Sequence, residues 1–229
     1  MKTTSLLAVF PFAFLATCSA EAQDTFQNLN FESANTGSLT FAFSVPVSSA
    51  LPAWTVSIGG VQQSGVGYNA PSGGAPSVWL LGPGYGPTGF VPIDGNYSVV
   101  LQAGFLNGVT PTTPSITQSG VVPLGSESLE FKAWQNSSAL TVSFDGNNLS
   151  PVVEGGGPNY TLYAVDISAY AGQTGQLDFT ALFPQSGLGA LELDDISFST
   201  NSIAPEPNIV ALTAIAGLLF GTRKWFARR

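Results

Sequence analysis

Short apolar runs, many of them alternating with polar residues, fill the chain between Gln23 and Thr200. Leu140, Val142 and Phe144 alternate with hydroxyl residues, which is the period of a strand with one buried and one exposed face. No stretch shows the 3.6-residue period of an amphipathic helix. Ten or so strands at this spacing predict an all-β domain, either a sandwich or a barrel. The predicted strands are Phe26–Phe31, Ser38–Val45, Ala53–Ile58, Val78–Leu81, Ser98–Ala103, Ser115–Val122, Ser128–Trp134, Ala139–Phe144, Thr161–Asp166, Gly175–Leu182 and Ala190–Ser199.

Turn signals made of Gly, Asp, Asn and Pro separate several of these runs. They include Gly59-Gly60, Asp94-Gly95-Asn96, Asp145-Gly146-Asn147 and Gly155-Gly156-Gly157-Pro158. A longer segment rich in Gly and Pro extends from Gly60 to Pro92. In a domain of this size such a segment is expected to form a functional surface or a cover.

The two ends of the chain differ from its body. A basic start at Lys2, an apolar stretch and the small residues Ala20 and Ala22 predict a secretory signal peptide, residues 1–22. The alternatives are an uncleaved anchor, for which the apolar stretch is too short, and a lipoprotein signal at Cys18. The body is then residues 23–200, and residues 201–229 form a tail.

The tail has three parts in order. Pro205-Glu206-Pro207 is followed by an apolar stretch from Ile209 to Phe220, and the chain closes on the basic residues Arg223, Lys224, Arg228 and Arg229. As a helix the apolar stretch spans about 18–22 Å, so it predicts a short transmembrane helix whose basic end stays cytoplasmic. The alternative is a terminal helix packed on the domain.

This order of features resembles the PEP-CTERM sorting signal of Gram-negative bacteria. The resemblance covers Pro205 to Arg229. It implies transient recognition by an exosortase, contact with the membrane through the helix, and delivery to the outer surface or the extracellular matrix. Proteins of this kind often accompany exopolysaccharide and biofilm production.

The body resembles the jelly-roll, galactose-binding-like modules of carbohydrate-binding proteins. The residues that carry this resemblance are Asn28 to Glu32, Asp94 to Val99, Ile116 to Gln118, Leu129 to Trp134 and Leu193 to Phe198. The resemblance implies a jelly-roll β-sandwich and polysaccharide as a candidate ligand.

Charge and composition exclude several functions. Between Gln23 and Ile203 there are twelve acidic residues against Lys132 alone, so the body repels nucleic acid. The chain has no His, and Cys18 is its single cysteine. A Ser-His-Asp triad, a Cys-His pair, an imidazole metal site and an intramolecular disulfide are therefore excluded.

The last predicted strand contains a candidate metal site. Leu191 and Leu193 share one face, and the alternation slips by one residue at Asp194-Asp195, which predicts a β-bulge. Together with Glu32, these carboxylates form an oxygen ligand set that suits structural calcium. The modules that the body resembles often carry a structural calcium there. The alternative is that the carboxylates are solvated or cap a turn.

Aromatic rings supply the candidate sugar-binding residues, because flat rings stack on the apolar faces of pyranoses. Tyr68, Trp79 and Tyr85 lie in the Gly- and Pro-rich segment, and the two tyrosines are expected to be exposed. Trp54 and Trp134 lie in predicted strands and are expected in the core.

The sequence therefore predicts an exported, non-enzymatic surface or matrix protein with polysaccharide as a candidate ligand. One alternative is a purely structural surface protein without a ligand. The other is a glycoside hydrolase that uses two carboxylates. The acids available for such a pair are Glu127, Glu130, Asp145, Glu154, Asp166 and Asp178, of which Asp145 and Asp166 have the positions of turn or strand-end residues.

Overall fold

The computed structural model describes residues 25–85, 90–184 and 188–203. The predicted signal peptide and most of the predicted sorting tail lie outside these residues, so both stay predictions, as do the domain boundaries. No helix in the described ranges has the length and hydropathy needed to span a lipid bilayer.

The described residues form two β-sheets with very little helix. The larger sheet contains β1 (Ala42–Pro46), β4 (Gly65–Tyr68), β5 (Ser77–Leu81), β6 (Ser98–Leu106), β7 (Thr110–Thr112), β9 (Ser128–Asn136), β12 (Val152–Gly156), β13 (Thr161–Asp166) and β15 (Gly189–Ser199). The strand order in this sheet is β1-β4-β5-β6-β15-β9-β13-β12, with β7 paired to β6.

The smaller sheet contains β2 (Thr55–Ile58), β3 (Val61–Gln63), β8 (Pro114–Val121), β10 (Leu140–Phe144), β11 (Asn147–Leu149) and β14 (Thr174–Ala181). Its strand order is β11-β10-β14-β8-β2-β3. The helices are α1 (Val47–Ala50) and a 3₁₀ turn, Ser168–Tyr170. Among these strands the β4–β5 pair is parallel and the other pairs are antiparallel.

The main core lies between the two sheets. Phe131 of the larger sheet meets Phe179 of the smaller one edge-to-face, with ring centroids 5.3 Å apart. Leu191 and Leu193 of β15 are buried in the same cluster. Alternation along each strand therefore decides which side chains enter this core. The predicted two-sheet β-sandwich is confirmed. The jelly-roll form of the sandwich stays a prediction.

The two-residue turns follow the sequence signals. Gly59 and Gly60 join β2 to β3 with φ of 58° and 77°, and Asp145 and Gly146 join β10 to β11 with φ of 47° and 76°. Both residues of a tight hairpin turn of this kind need positive φ, which Gly, Asn and Asp tolerate best.

The first predicted strand, Phe26–Phe31, is wrong. This segment forms turns, because Asn28 and Phe31 have φ of 48° and 58° and the Phe31 N–H donates to the Asn28 carbonyl at 3.3 Å. The Asn28 side chain stabilises them by donating to Pro52 O at 3.1 Å and accepting from the Ser33 N–H at 2.9 Å. An Asn that bonds nearby backbone in this way competes with strand pairing.

Candidate functional site

The outer face of the larger sheet carries a transverse row of large side chains. Strand register places Trp79 beside Val100, Val100 beside Glu192, and Glu192 beside Trp134. The row crosses β5, β6, β15 and β9 on the face opposite the main core. Two tryptophans therefore flank an acid on a surface that period-2 alternation would assign to solvent.

The Gly- and Pro-rich segment covers part of this row. Phe90 lies between the two indoles, with its ring centroid 5.4 Å from that of Trp79 and 5.2 Å from that of Trp134. The ring centroid of Tyr85 lies 5.4 Å from that of Trp79, and burial raises the pKa of the Tyr85 hydroxyl. These contacts form a second apolar cluster, here called the outer cluster, in which Trp79 is only 1% exposed.

An open groove borders the outer cluster at the Phe90 ring. Its volume is about 370 Å³, and part of its lining consists of the small residues Gly189 and Ala190. The amide groups of Gln102 and Asn136 also line it. The other lining residues are Pro71, Gly73, Gly74 and Leu188. The described lining thus combines an aromatic ring, apolar surface and two amides, with no charged side chain.

Hydrogen bonds fix the Gln102 amide in this groove. Its Nε2 donates to Ser72 Oγ at 2.9 Å and to Ala75 O at 3.1 Å. The Gln102 amino group thus already has two hydrogen-bond acceptors. The amide oxygen of the same side chain is the atom that could accept a bond from a ligand. The Asn136 side chain is exposed and can donate as well as accept.

Two carboxyl groups are buried beside the outer cluster. Glu192 is 2% and Asp194 1% exposed. Burial raises the pKa of Glu192 to about 8 and that of Asp194 to about 7. Asp194 Oδ2 accepts hydrogen bonds from the Asp94 N–H at 3.0 Å and the Ser98 hydroxyl at 2.9 Å. Glu192 Oε1 and Trp79 Nε1 are buried and have no hydrogen-bond partner among the described residues.

A second cavity, here called the carboxylate pocket, lies at one end of the larger sheet. Its volume is about 220 Å³, and Asn30, Glu32, Asp94, Gly95, Asp194 and Asp195 line it. The predicted bulge is confirmed here, because the β15–β9 register shifts between Asp194 and Ser197 and Asp195 has φ of 47°. The bulge turns the Asp195 side chain toward Lys132.

Lys132 supplies the positive charge of the carboxylate pocket. Its ammonium pairs with Asp94 Oδ2 and lies 2.9 Å from Asp195 Oδ2. The ion pair with Lys132 lowers the pKa of Asp94, and the hydrogen bonds to Asp94 and Asp195 raise the pKa of Lys132. The ammonium also lies 5.3 Å from the centre of the Tyr160 ring, within cation–π range.

Glu32 closes the pocket from the N-terminal segment. Its Oε1 accepts hydrogen bonds from the N–H groups of Asn96 at 2.7 Å and Tyr97 at 2.9 Å. Its Oε2 accepts from Asn96 Nδ2 at 3.1 Å. The side chain thus ties the first turns to the segment that leads into β6.

The predicted calcium ligands Glu32, Asp194 and Asp195 all line this pocket. In the present arrangement their oxygens do not suit the ion, which takes six to eight oxygens. Lys132 holds Asp195, and backbone amides occupy Glu32 Oε1. Across the described ranges no group of three or more acidic, His or Cys side chains has the arrangement of a metal site. Calcium binding stays a prediction that would require Lys132 to give way.

The predicted sugar-binding aromatics lie in different environments. Tyr68 is 3% exposed in the main core, so the expectation that it is exposed is wrong. Trp79 is buried in the outer cluster, and Tyr85 is partly exposed above it. Trp54 is in the main core as expected, whereas Trp134 is half-buried on the outer face. As placed, neither the Tyr68 ring nor the Trp79 ring has a face open to a sugar.

Sequence reasoning missed the groove amides and the buried acid Glu192. The signal for Glu192 was the alternation of Leu191, Glu192 and Leu193, which shows that the acid faces away from the main core. Nothing in that pattern shows that Phe90 approaches the same face. Asp145 and Asp166 are turn residues as expected: Asp145 accepts from the Gln176 N–H, and Asp166 from Ser168.

No protein-family model and no curated protein sequence matches this chain. Solved structures with low similarity to this chain include three of different activities. TmCBM61, solved in complex with β-1,4-galactotriose, is 14% identical, and the alignment covers 79% of this chain and all of that one with a TM-score of 0.44.

A cyclase from Fischerella sp. TAU is 12% identical over 76% of this chain and 94% of its own, with a TM-score of 0.35. The enzymatically active domain of tailspike protein 4 of bacteriophage CBA120 is 17% identical over 64% of this chain, with a TM-score of 0.36. This chain spans 19% of the tailspike domain. These low similarities include a binding module and two enzymes, so they indicate no particular activity for this chain.

Proposed function

We propose that this chain is an exported, non-enzymatic surface or matrix protein whose β-sandwich binds a neutral polysaccharide. The binding site is the groove beside the outer cluster. The observation that carries the proposal is the groove's lining, in which the Phe90 ring adjoins the amides of Gln102 and Asn136. A pyranose presents an apolar face and a rim of hydroxyls, and a ring with nearby amides matches both.

The charge of the lining supports a neutral ligand. The described groove residues carry no charged side chain, while the chain as a whole has a net charge of −8. An anionic polysaccharide would approach against this charge with no cation in the groove to bind it. The groove volume of about 370 Å³ lies in the range of small-ligand sites.

Burial of the acids supports a binding role over hydrolysis. Glu192 and Asp194 have the raised pKa values of a general acid, but at 2% and 1% exposure neither reaches a glycosidic bond. The export part of the proposal is supported by the sequence of the two ends, with transient exosortase recognition and membrane contact through the tail. A jelly-roll connection of the sandwich belongs to the same proposal.

Affinity electrophoresis and calorimetry of the full chain against neutral and anionic polysaccharides test the binding. We expect saturable binding to at least one neutral polymer. Asn136→Ala removes a hydrogen-bonding group from the groove and should weaken binding about tenfold. Gln62→Ala, which removes an exposed amide from β3 of the other sheet, should leave binding unchanged.

Three results would contradict the proposal. Absence of binding to every polymer would favour a purely structural protein without a ligand. Equal loss of binding in both variants would place the site outside the groove. Release of reducing sugar during the incubation would instead favour the hydrolase alternative.

A further inference from the structure

Two exposed phenylalanines lie together beside the free edge of the larger sheet. Phe43 is 81% and Phe41 50% exposed, and their rings meet edge-to-face with centroids 4.8 Å apart. Leu39, two residues earlier, is 46% exposed. Adjacent apolar side chains that remain open to water are typical of a surface that a partner covers.

The strand that carries Phe43 is an edge strand. One edge of β1 pairs with β4, and among the described residues no strand pairs with its other edge. Edge strands of soluble monomers are usually protected by charged side chains, and β1 has none. A bulge between Ala42 and Val45 shortens the stretch that could pair in register. The two rings, and not a long ladder of hydrogen bonds, would therefore supply most of the contact.

The distribution of charge indicates what the partner is. From Ser33 to Ile93, which includes α1 and strands β1 to β5, the sequence contains no Asp, Glu, Lys or Arg. We call this part the uncharged side. From Glu127 to Ser199 it contains nine acidic residues and Lys132, and we call this part the acidic side.

Two copies of such a molecule repel each other through their acidic sides, since like charges oppose close approach. Approach through the uncharged sides escapes this repulsion and brings the exposed rings together. β1, β4 and β5 are neighbours in one sheet, and β5 packs over β2 of the other, so these uncharged strands share one side of the sandwich. The surface around Phe41 and Phe43 thus combines exposed aromatic rings with the absence of charged side chains that would repel a second copy.

We propose that the uncharged side docks a second copy of this chain through a surface centred on Phe41 and Phe43. The same patch on both copies meets across a two-fold axis, the commonest symmetry of protein dimers. The contact is apolar, so it persists when salt screens the acidic sides.

Sedimentation velocity of the full chain over a concentration series tests the proposal. We expect a concentration-dependent shift from monomer to dimer that high salt does not weaken. Phe43→Ser should weaken the dimer at least tenfold. Because Phe43 is 81% exposed, this change should leave the thermal unfolding temperature unaltered at concentrations where both proteins are monomeric.

Val153→Ser is the matched control. Val153 is 64% exposed on β12, the strand at the opposite end of the same sheet, and lies on the acidic side. Its substitution removes a similar exposed apolar group and should leave the dimer intact. Association through another part of the chain would persist in Phe43→Ser and would overturn the proposal, as would a wild-type protein that stays monomeric.

Other occupants of this surface give distinguishable results. If Phe43→Ser leaves sedimentation unchanged but weakens binding to a polysaccharide or to phosphatidylcholine vesicles, the patch belongs to that ligand and the dimer proposal is wrong. The groove test with Asn136→Ala is independent of this outcome, because Asn136 lies at the end of β9 on the other part of the sheet.

Discussion

The uncharged side and the acidic side differ in the kind of polar group that they contain. On the uncharged side a neutral amide bonds backbone groups: Asn69 Oδ1 accepts from the Gly82 N–H at 2.8 Å, and its Nδ2 donates to Thr40 O at 3.0 Å. On the acidic side the polar groups are ionisable, with Lys132 paired to carboxylates and Glu192 buried.

Two strand glycines differ in the space around them. A Cβ at Gly67 of β4, on the uncharged side, would lie 2.9 Å from Ala70 O and 3.1 Å from Trp79 Cβ. A Cβ at Gly155 of β12, on the acidic side, would meet no atom within 4 Å. Close backbone approach therefore requires glycine at position 67 and not at position 155.

This difference teaches where environment should matter. Neutral amides and packed backbone do not titrate, so pH and divalent ions should act on the acidic side. Backbone volume should matter at Gly67 and not at Gly155. One substitution tests each expectation. Each is paired with a matched control variant, which lies on the other side or at an exposed position.

The largest expected effect is a loss of stability as pH rises. The pKa values of Glu192 and Asp194 are raised in the folded chain to about 8 and about 7. Below about pH 3 both groups are protonated in the folded and the unfolded chain. As pH rises, the unfolded chain releases these protons first, so ionisation favours unfolding until pH exceeds the folded pKa values. We expect the free energy of unfolding to fall by on the order of 3 kcal/mol between about pH 5 and pH 8.

Urea denaturation at several pH values checks this slope. Glu192→Gln removes one titrating group and should flatten it. Glu127→Gln changes an exposed acid on the same side and should keep the slope of the wild type. Parallel slopes in all three proteins would show that Glu192 does not couple folding to pH.

Much of the fold could be predicted because alternation and turn chemistry are local. The Leu140–Phe144 pattern predicted β10, and Asp145-Gly146 predicted the turn after it. Strand β4 (Gly65–Tyr68) was missed because its two glycines are typical of a loop, although Gly67 is needed there for close approach to Trp79. A short strand in which every second residue is Gly carries too few side chains to show alternation.

The sites were less predictable because they depend on segments that meet from far apart in the chain. The slip at Asp194-Asp195 did predict the bulge, and Glu32 does line the same pocket. Phe90 contacts the tryptophans on both sides of Glu192 from about a hundred residues earlier in the chain, and no local pattern records those contacts. The ion pairs of Lys132 were not predicted for the same reason, because Asp94 and Asp195 belong to two other segments of the chain.

The next effect concerns backbone volume. Gly67→Ala places a methyl group against the Ala70 carbonyl and Trp79, and should lower the free energy of unfolding by about 2 kcal/mol. Gly155→Ala on the acidic side meets open space and should change stability by less than about 0.5 kcal/mol. Both are strand glycines, so chemical denaturation of the pair isolates the close approach. Equal losses in the two variants would show that the space around the two glycines does not decide the cost of a methyl group.

The smallest effect separates Lys132 from a metal ion. Lys132→Ala removes the cation between Asp94 and Asp195, and should lower the free energy of unfolding by about 1 kcal/mol because both carboxylates are partly solvated. The carboxylate pocket then lacks a positive charge, so calcium should raise the thermal unfolding temperature of Lys132→Ala more than that of the wild type. Lys132→Arg, which keeps the charge, is the control and should respond to calcium as the wild type does. An equal calcium shift in all three proteins would show that the ion and Lys132 do not compete, and it would contradict calcium binding at Asp195.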